Sequence, residues 1–421
     1  MINQTRSMTD FCVFRISSKL AFASAAAMIA LFGCGFFSGI GHAAYIPPAN
    51  NRVKLNFNYD WKFIKQEFAG ASAVAFSDSS WQDVSLPHTW NTDKFREWVF
   101  NSNDHTGGDP LNPSGTYYGK AWYRKHFTID AAYAGRKVIL EFQGIGRVAN
   151  FYVNGVWVGL HENGVAPYGL DITTNVLFGA DNVIAVQVNN DENYKTVTYG
   201  GAGLPYGQPF NPNFGGLNRD VTLHISDKLY QTLPLYRDLG TVGTYIYSTN
   251  IDTLNRTATV TIQTEVKNDY TSPQTVNCDA VVVDENGNMV LSQPLGQQTL
   301  AAGQKTTFST NVDMTSVHFW SPDYPYLYQV YTILSTNGSP VDVYQTPVGL
   351  RKFTFSNIYG LMVNGHPIYL KGYAPRCSME WPCVGTPVDW MNEYDFKLMK
   401  ENNANFVRPM HIAPRKVQVE A

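Results

Sequence analysis

Asn-Gly pairs between short apolar runs constrain the fold of this chain more than any other feature of its sequence. Such pairs stand at 154–155, 286–287, 337–338 and 364–365. A tight type I′ hairpin turn needs a positive φ angle at both central residues, which asparagine and glycine adopt most readily. Around the first three pairs apolar and polar residues alternate, and no long helical periodicity interrupts them. The sequence therefore predicts a mostly β protein built from antiparallel hairpins.

The alternating part of the chain divides into two segments that differ in how regular the alternation is. Residues 44–227 contain short period-2 strands and predict a β-sandwich. Residues 228–350 alternate more cleanly. Val260 and Ile262 are expected in the core, and Thr261, Gln263 and Glu265 are expected on a face in water. A segment of this length and pattern is typical of a seven-stranded immunoglobulin-like sandwich.

The last segment, residues 351–421, has a different pattern. An amphipathic helix is predicted at about 390–402, with Asp389 as its N-cap, and a short apolar strand is predicted on each side of it. A strand, a helix and a second strand form a βαβ unit. The end of the chain is therefore expected to begin a parallel sheet or barrel.

The N-terminus, residues 1–43, has the layout of a secretory signal peptide. Basic residues such as Arg15 and Lys19 precede an apolar run at 20–40, and small residues follow. We expect cleavage after Ala43 and export to the periplasm or the extracellular space, without stable membrane insertion. The run is also long enough to span a bilayer, so an uncleaved anchor is the alternative.

Composition excludes several classes of partner. Only 15% of the residues are charged and the formal net charge is −3, so a basic surface for nucleic acid is not expected. The sequence contains no CxxC or HExxH motif and no histidine cluster, and it predicts neither a metal site nor a cofactor. Low charge with many aromatic and small polar residues is consistent with an exported protein that binds neutral polar ligands. The formation of a homo-oligomer is left open.

A series of short motifs runs through the chain from Trp81 to His411. In order and spacing they resemble glycoside hydrolase family 2, which contains β-galactosidases and β-glucuronidases. The motifs are Trp81–Trp90, Trp122–Phe127, Tyr152–Gly155, Gly215–Val221, Trp320–Tyr328, Val363–Gly365, Leu370–Gly372 and Asn403–His411.

The resemblance implies a fold and an activity. It implies a sugar-binding jelly roll at 44–227, an immunoglobulin-like domain at 228–350 and the start of a (β/α)8 TIM barrel at 351–421. It also implies retaining hydrolysis of terminal β-glycosides by two glutamates, with a carbohydrate as the substrate.

The barrel predicted from this resemblance is incomplete in the chain. A TIM barrel takes about 250 residues, whereas Phe353 to Ala421 is 69 residues. Retaining hydrolysis needs two carboxyl groups about 5–5.5 Å apart, and in the family both follow later barrel strands, expected here beyond Ala421. We therefore expect a fragment of a longer hydrolase, with no catalytic residue of its own and no activity alone.

Candidate substrate-binding residues follow the two predicted barrel strands, because barrel sites form at the carboxyl ends of strands. Arg376, Glu380 and Trp381 follow the first strand, and Arg408 and His411 follow the second. Arginine and histidine donate hydrogen bonds to hydroxyl groups, and an indole packs against the C–H face of a sugar. The alternatives are a buried ion pair for Arg408 and scaffold roles for Glu380 and Trp381.

Two further interpretations stay open at this point. The first loop has Cys377 where the commonest family pattern has histidine, which indicates a divergent subgroup. The alternative function is a non-catalytic carbohydrate-binding or adhesion module that uses only the two sandwiches, residues 44–350. That alternative leaves the trailing βαβ unit without a role.

Overall fold

The computed structural model describes residues 44–90, 119–164, 166–190, 215–375, 388–409 and 414–420. The signal segment predicted at residues 1–43 lies outside them. No helix among the described residues is long and apolar enough to cross a membrane.

Among the described residues of the first domain, ten strands form two antiparallel sheets packed face to face. One sheet has the order β1-β10-β5-β8, and the other has the order β3-β2-β4-β9-β6-β7. The strands are β1 (Val53–Asn56), β2 (Trp61–Ile64), β3 (Gln82–Val84), β4 (Lys120–Thr128), β5 (Lys137–Phe142), β6 (Val148–Val153), β7 (Val156–Glu162), β8 (Tyr168–Asp171), β9 (Asp181–Asn189) and β10 (Val221–Ser226).

Large aromatic side chains fill the space between these two sheets. Trp61 and Tyr123 are fully buried, and the indole N–H of Trp61 donates to the carbonyl of Phe57 at 2.8 Å. The rings of Phe151 and Tyr168 are stacked, with centroids 5.1 Å apart. Because aromatic residues bury the most area per side chain, they dominate the energy of such a core.

Eight strands build the second domain. In one sheet β13 pairs with β11, β12 and β16, and the other has the order β15-β14-β17-β18. The strands are β11 (Leu229–Gln231), β12 (Thr244–Asp252), β13 (Thr257–Asn268), β14 (Gln274–Val283), β15 (Met289–Leu300), β16 (Lys305–Met314), β17 (Tyr328–Thr336) and β18 (Ser339–Val348).

The alternation along β13 is present, but its outer face is less exposed than the pattern predicts. Val260 and Ile262 are buried in the core as expected. Thr261 and Glu265 are also buried. Thr261 donates a 2.8 Å hydrogen bond to Asn311 of the neighbouring strand, and the Glu265 carboxylate accepts one from the Thr232 hydroxyl at 2.8 Å. Neighbouring side chains cover these two residues, whereas Thr259 and Gln263 on the same face stay half-buried, a difference that periodicity alone does not reveal.

The remaining elements form a small antiparallel sheet, β19-β20-β21, and a parallel pair of strands, β22 and β23. They are β19 (Phe353–Ser356), β20 (Gly360–Val363), β21 (His366–Pro367), β22 (Gly372–Tyr373), helix α1 (Asp389–Glu401), β23 (Phe406–Val407) and helix α2 (Lys416–Glu420). Helix α1 connects β22 to β23, so the segment is a βαβ unit.

The Asn-Gly turns explain the hairpins. Asn154 and Gly155 have φ angles of 49° and 80°, and the pairs at 337–338 and 364–365 have the same signs. At 286–287 only the glycine has a positive φ. There the Asp284 carboxylate accepts hydrogen bonds from two backbone N–H groups and shapes a wider turn.

A buried ion pair joins the beginning of the first domain to the second. Two guanidinium nitrogens of Arg52 lie 2.9 and 2.6 Å from the two carboxylate oxygens of Asp342 on β18, and the side chains are only 7% and 1% exposed. Arg52 also donates to the carbonyl of Gln231, whose backbone N–H donates to Asp342 at 2.7 Å. The buried polar groups of these three residues therefore form hydrogen bonds with each other.

A second cation lies at the same joint. The Lys137 ammonium on β5 contacts the Asp171 carboxylate of its own domain and lies 2.5 Å from Asp269, which follows β13. Burial lowers the pKa of Lys137, but the two carboxylates outweigh it and the pKa is raised overall. The lysine therefore stays charged between the two domains.

We expect Asp342→Ala to lower the free energy of unfolding by about 3–5 kcal/mol, because it leaves Arg52 buried without its counter-ion. Chemical denaturation of the two proteins measures the difference. The matched control is Asp83→Ala, which breaks an exposed 2.5 Å pair with Lys62 and should cost about 0–1 kcal/mol. Equal effects of the two changes would contradict a structural role for the buried pair.

Candidate functional site

The parallel pair β22–β23 aligns the carboxyl ends of two strands. Gly372 pairs with Phe406 and Tyr373 with Val407, and the N–H of Arg408 donates to the carbonyl of Tyr373 at 2.9 Å. The chain therefore leaves both strands at the same edge. The two loops that carry the predicted site residues begin side by side.

Asn405, directly before β23, fixes the register of this pair. Its side-chain oxygen accepts the N–H of Lys371 at 2.9 Å, and its amide nitrogen donates to the carbonyl of Tyr369 at 3.0 Å. Its own N–H donates to the carbonyl of Lys371. This explains physically why the Asn403–His411 motif has an asparagine at this position.

Arg408 is the one predicted site residue that the structure describes. Arg408 is exposed at the strand edge. Whether Arg408 contacts substrate or forms a buried ion pair inside a barrel stays a prediction. Arg376, Glu380, Trp381 and His411 lie outside the described residues.

Helix α1 carries acids, and its first residue differs from the prediction. Asp389 is the first helical residue instead of the N-cap; the N-cap is Val388, which makes no side-chain capping bond. Only Met391 and Asn392 of the helix are buried. Of the other acids of the helix, Glu393 and Glu401 are exposed, whereas Asp395 is half-buried and its burial raises its pKa.

Asp389 forms part of a three-residue ion cluster that the sequence analysis missed. Nη2 of Arg415 lies 3.0 Å from a carboxylate oxygen of Asp389 and 2.8 Å from one of Asp220, and the Arg415 side chain is only 4% exposed. Burial, and then the nearby Asp220 charge, raise the pKa of Asp389. The one feature of the sequence that could have pointed to this cluster is the position of Asp220 in the Gly215–Val221 motif.

The Arg415 cluster ties three parts of the chain together. The loop after β22 ends at Asp389, and the loop after β23 ends just before Arg415. Asp220 belongs to the first domain, next to β10. One guanidinium therefore anchors the far ends of both candidate site loops to the first domain.

The glycines before Asp220 allow a close backbone approach. A Cβ on Gly215 would lie 2.0 Å from the ring of Trp90, and one on Gly216 would lie 2.3 Å from the carbonyl oxygen of His88. Gly216 also has a φ angle of 136°, which disfavours any other residue. Both positions therefore require glycine.

His88 lies in the same contact region. Its ring Nδ1 is 2.6 Å from the hydroxyl oxygen of the fully buried Tyr123. The backbone N–H of His88 donates to the carbonyl of Leu217. Burial lowers the pKa of His88 to about 4. The imidazole is therefore neutral near pH 7 and makes a neutral hydrogen bond.

The described residues contain no group of three or more His, Cys, Asp or Glu side chains placed to bind a metal. Cys278 is a buried free thiol, and its burial raises the thiol pKa.

Comparison with known families matches both sandwiches. The sugar binding domain of glycosyl hydrolases family 2 matches residues 55–226, and the domain described as glycosyl hydrolases family 2 matches residues 243–351. Together the two matches cover more than half of the chain. The chain belongs to glycosyl hydrolases family 2. The family and the two β-sandwich types predicted from the motifs are confirmed, whereas the start of a barrel at 351–421 stays a prediction.

Relatives of this family 2 chain are similar along most of its length. A β-glucuronidase from Formosa agariphila is 34% identical over 380 residues, which is 88% of this chain and 37% of the relative. A β-galactosidase from Thermoanaerobacter pseudethanolicus is 31% identical, over 86% of this chain and 44% of the relative. A solved family 2 β-glucuronidase superposes with a TM-score of 0.79 at 32% identity, over 89% of this chain and 38% of that one. The chain spans less than half the length of these relatives.

We expect Arg415→Met to loosen helix α1 and the Gly215–Val221 segment, because two carboxylates lose their shared cation. Hydrogen exchange followed by mass spectrometry should show amides of both segments exchanging roughly tenfold faster, a cost of about 1.4 kcal/mol in local opening. The control is Lys397→Met, which removes an exposed pair with Glu401 on the same helix. If the two variants exchange alike, the cluster does not hold these segments.

Stability should fall as the pH is lowered from about 6.5, the pKa of an unfolded histidine, toward about 4. The folded state holds His88 neutral because its pKa is lowered to about 4, so in this window the unfolded chain binds more protons. His88→Gln should remove part of this loss, at most about 3 kcal/mol. Melting temperatures at pH 7 and pH 4.5 measure it, with the exposed His366→Gln as the control. If His88→Gln loses as much melting temperature between pH 7 and pH 4.5 as the unchanged chain, burial of His88 does not cause the loss.

Proposed function

We propose that the protein is an exported glycoside hydrolase that cleaves terminal β-glycosides by the retaining, two-glutamate mechanism. The observation that carries the proposal is the similarity to a β-glucuronidase, 34% identical over 380 residues. β-Galactosidases of the same family are also similar, so a β-galactoside or a β-glucuronide is the proposed substrate class.

The geometry at the end of β22 and β23 supports this proposal. Barrel enzymes build their sites at the carboxyl ends of parallel strands, and Arg408 lies at such an edge with its side chain exposed. A guanidinium there can donate hydrogen bonds to sugar hydroxyls or to the carboxylate of a glucuronide. We propose that Arg376, Glu380, Trp381 and His411 complete this substrate contact.

We place the two catalytic glutamates in the part of the relatives' length that this chain does not span. Retaining hydrolysis needs two carboxyl groups about 5–5.5 Å apart at the substrate. The described acids after β22 lie on helices, and Asp389 is engaged by Arg415. The proposed role of this chain is to bind the sugar and to position the loops after the first two barrel strands. Export rests on the signal-like segment at residues 1–43.

Hydrolysis of nitrophenyl glycosides tests the proposal. A complete hydrolase that carries this chain should release nitrophenol from the β-galactoside or the β-glucuronide and not from the matching α-anomers. Arg408→Ala should lower kcat/KM by roughly 10²-fold, because a hydrogen bond to the substrate is lost at the site. The 421-residue chain alone should show no turnover.

Two results would count against this function. Absence of turnover of every β-glycoside by the complete hydrolase would contradict the activity. Turnover by the 421-residue chain that Arg408→Ala abolishes would instead contradict the placement of the glutamates.

A further inference from the structure

The outward face of the sheet formed by β12, β13 and β16 carries an ordered array of aromatic and polar side chains. Residues on this face stand in register across the three strands. The three rows are Tyr245, Gln263 and Ser309; Tyr247, Thr261 and Asn311; and Thr249, Thr259 and Asp313.

Two tyrosine rings occupy one side of this face. The centroids of Tyr245 and Tyr247 are 5.3 Å apart, with an interplanar angle of 36°. The residues are 62% and 37% exposed, although removing a tyrosine ring from water is favourable. Such a pair offers adjacent apolar surfaces on which the C–H faces of sugar rings can pack.

The polar residues beside the rings are held in place by each other. The Gln263 amide donates to the Ser309 hydroxyl at 3.3 Å, and the Thr261 hydroxyl donates to the Asn311 side-chain oxygen at 2.8 Å. Among the described residues, the Gln263 side-chain oxygen and the Asn311 amide nitrogen make no other hydrogen bond. One acceptor and one donor therefore point to solvent next to the rings, as recognition of hydroxyl groups requires.

Asp313, in the third row, also lines a cavity of about 510 Å³. Ligand pockets typically measure roughly 300–1,000 Å³. Asp284 and Glu285 contribute carboxylates to its wall, and the rings of His318 and Tyr326 stack there with centroids 4.8 Å apart. The array and the cavity are therefore continuous through Asp313.

We propose that this surface binds a neutral polysaccharide, independently of the hydrolytic reaction. The three strands give a strip about 10 Å wide, which matches a single glycan chain lying on Tyr245 and Tyr247. The array is uncharged apart from Asp313, and the cavity wall adds two carboxylates. Carboxylates accept hydrogen bonds from hydroxyl groups and repel anionic glycans, so the charge distribution favours a neutral one.

Affinity electrophoresis of the full 421-residue chain tests the proposal. The gels contain barley β-glucan or galactan as neutral probes, polygalacturonate as the anionic probe, or no polysaccharide. We expect at least one neutral probe to retard the chain. The double variant Tyr245→Ala/Tyr247→Ala should bind that probe roughly tenfold more weakly, because the stacking contacts with both rings are lost.

Two further variants separate loss of binding from loss of folding. Tyr245→Phe/Tyr247→Phe keeps the rings and should keep the retardation. Tyr59→Ala/Tyr236→Ala removes two exposed tyrosines outside the array and should also bind as the unchanged chain does. Circular dichroism melts confirm that each variant is folded.

Three results would overturn the proposal: no retardation by either neutral probe, equal retardation of the unchanged chain and the folded alanine variant, or retardation by polygalacturonate alone. The gels measure binding without turnover. A failure of the hydrolase assay therefore leaves this result intact, and the reverse also holds.

Discussion

The arrangement of the candidate site depends on one buried guanidinium. Arg415 lies between Asp220 and Asp389, and it is almost completely buried. A buried cation must be paired, and the directional bonds of a guanidinium specify where its partners lie. Burial, and then the neighbouring Asp220 charge, raise the pKa of Asp389, although the shared Arg415 cation lowers it. The first domain is therefore part of the framework that holds the loops after β22 and β23.

The other domain joint uses the same physical principle. Arg52 and Lys137 are buried cations that contact carboxylates of the neighbouring domain, Asp342 and Asp269. Ile139 of the first domain also packs at this joint against Tyr230 and Leu233 of the second, and apolar and aromatic side chains form the core of each sandwich. Apolar contacts tolerate some sliding of one surface over another, whereas a buried ion pair with all its bonds made does not. The ion pairs therefore set the orientation of domains that the apolar cores stabilise.

Patterns local in the sequence could be predicted, because they follow from the geometry of a single strand or turn. The Asn154–Gly155 turn and the inward residues Val260 and Ile262 are examples. Asp389 shows the limit: its position before an amphipathic stretch indicates an N-cap, yet its carboxylate binds Arg415. Contacts between residues distant in the sequence leave no trace in periodicity. For the same reason Glu265 was predicted on a solvated face and is buried in the structure.

The two surfaces to which we assign carbohydrate binding differ in the kind of contact they offer. The role proposed for Arg408 at the edge of β23 is to donate directional hydrogen bonds, a kind of contact that distinguishes terminal sugars by the placement of their oxygens. Tyr245 and Tyr247 provide ring faces, which bind any sugar with an apolar C–H side and accept small displacements along it. Only the first kind of contact selects a particular residue at a chain end, and only the second suits the repeated units of a polymer. The cation at the strand edge therefore suits a terminal sugar, whereas Tyr245 and Tyr247 suit a neutral polymer whether or not it is hydrolysed.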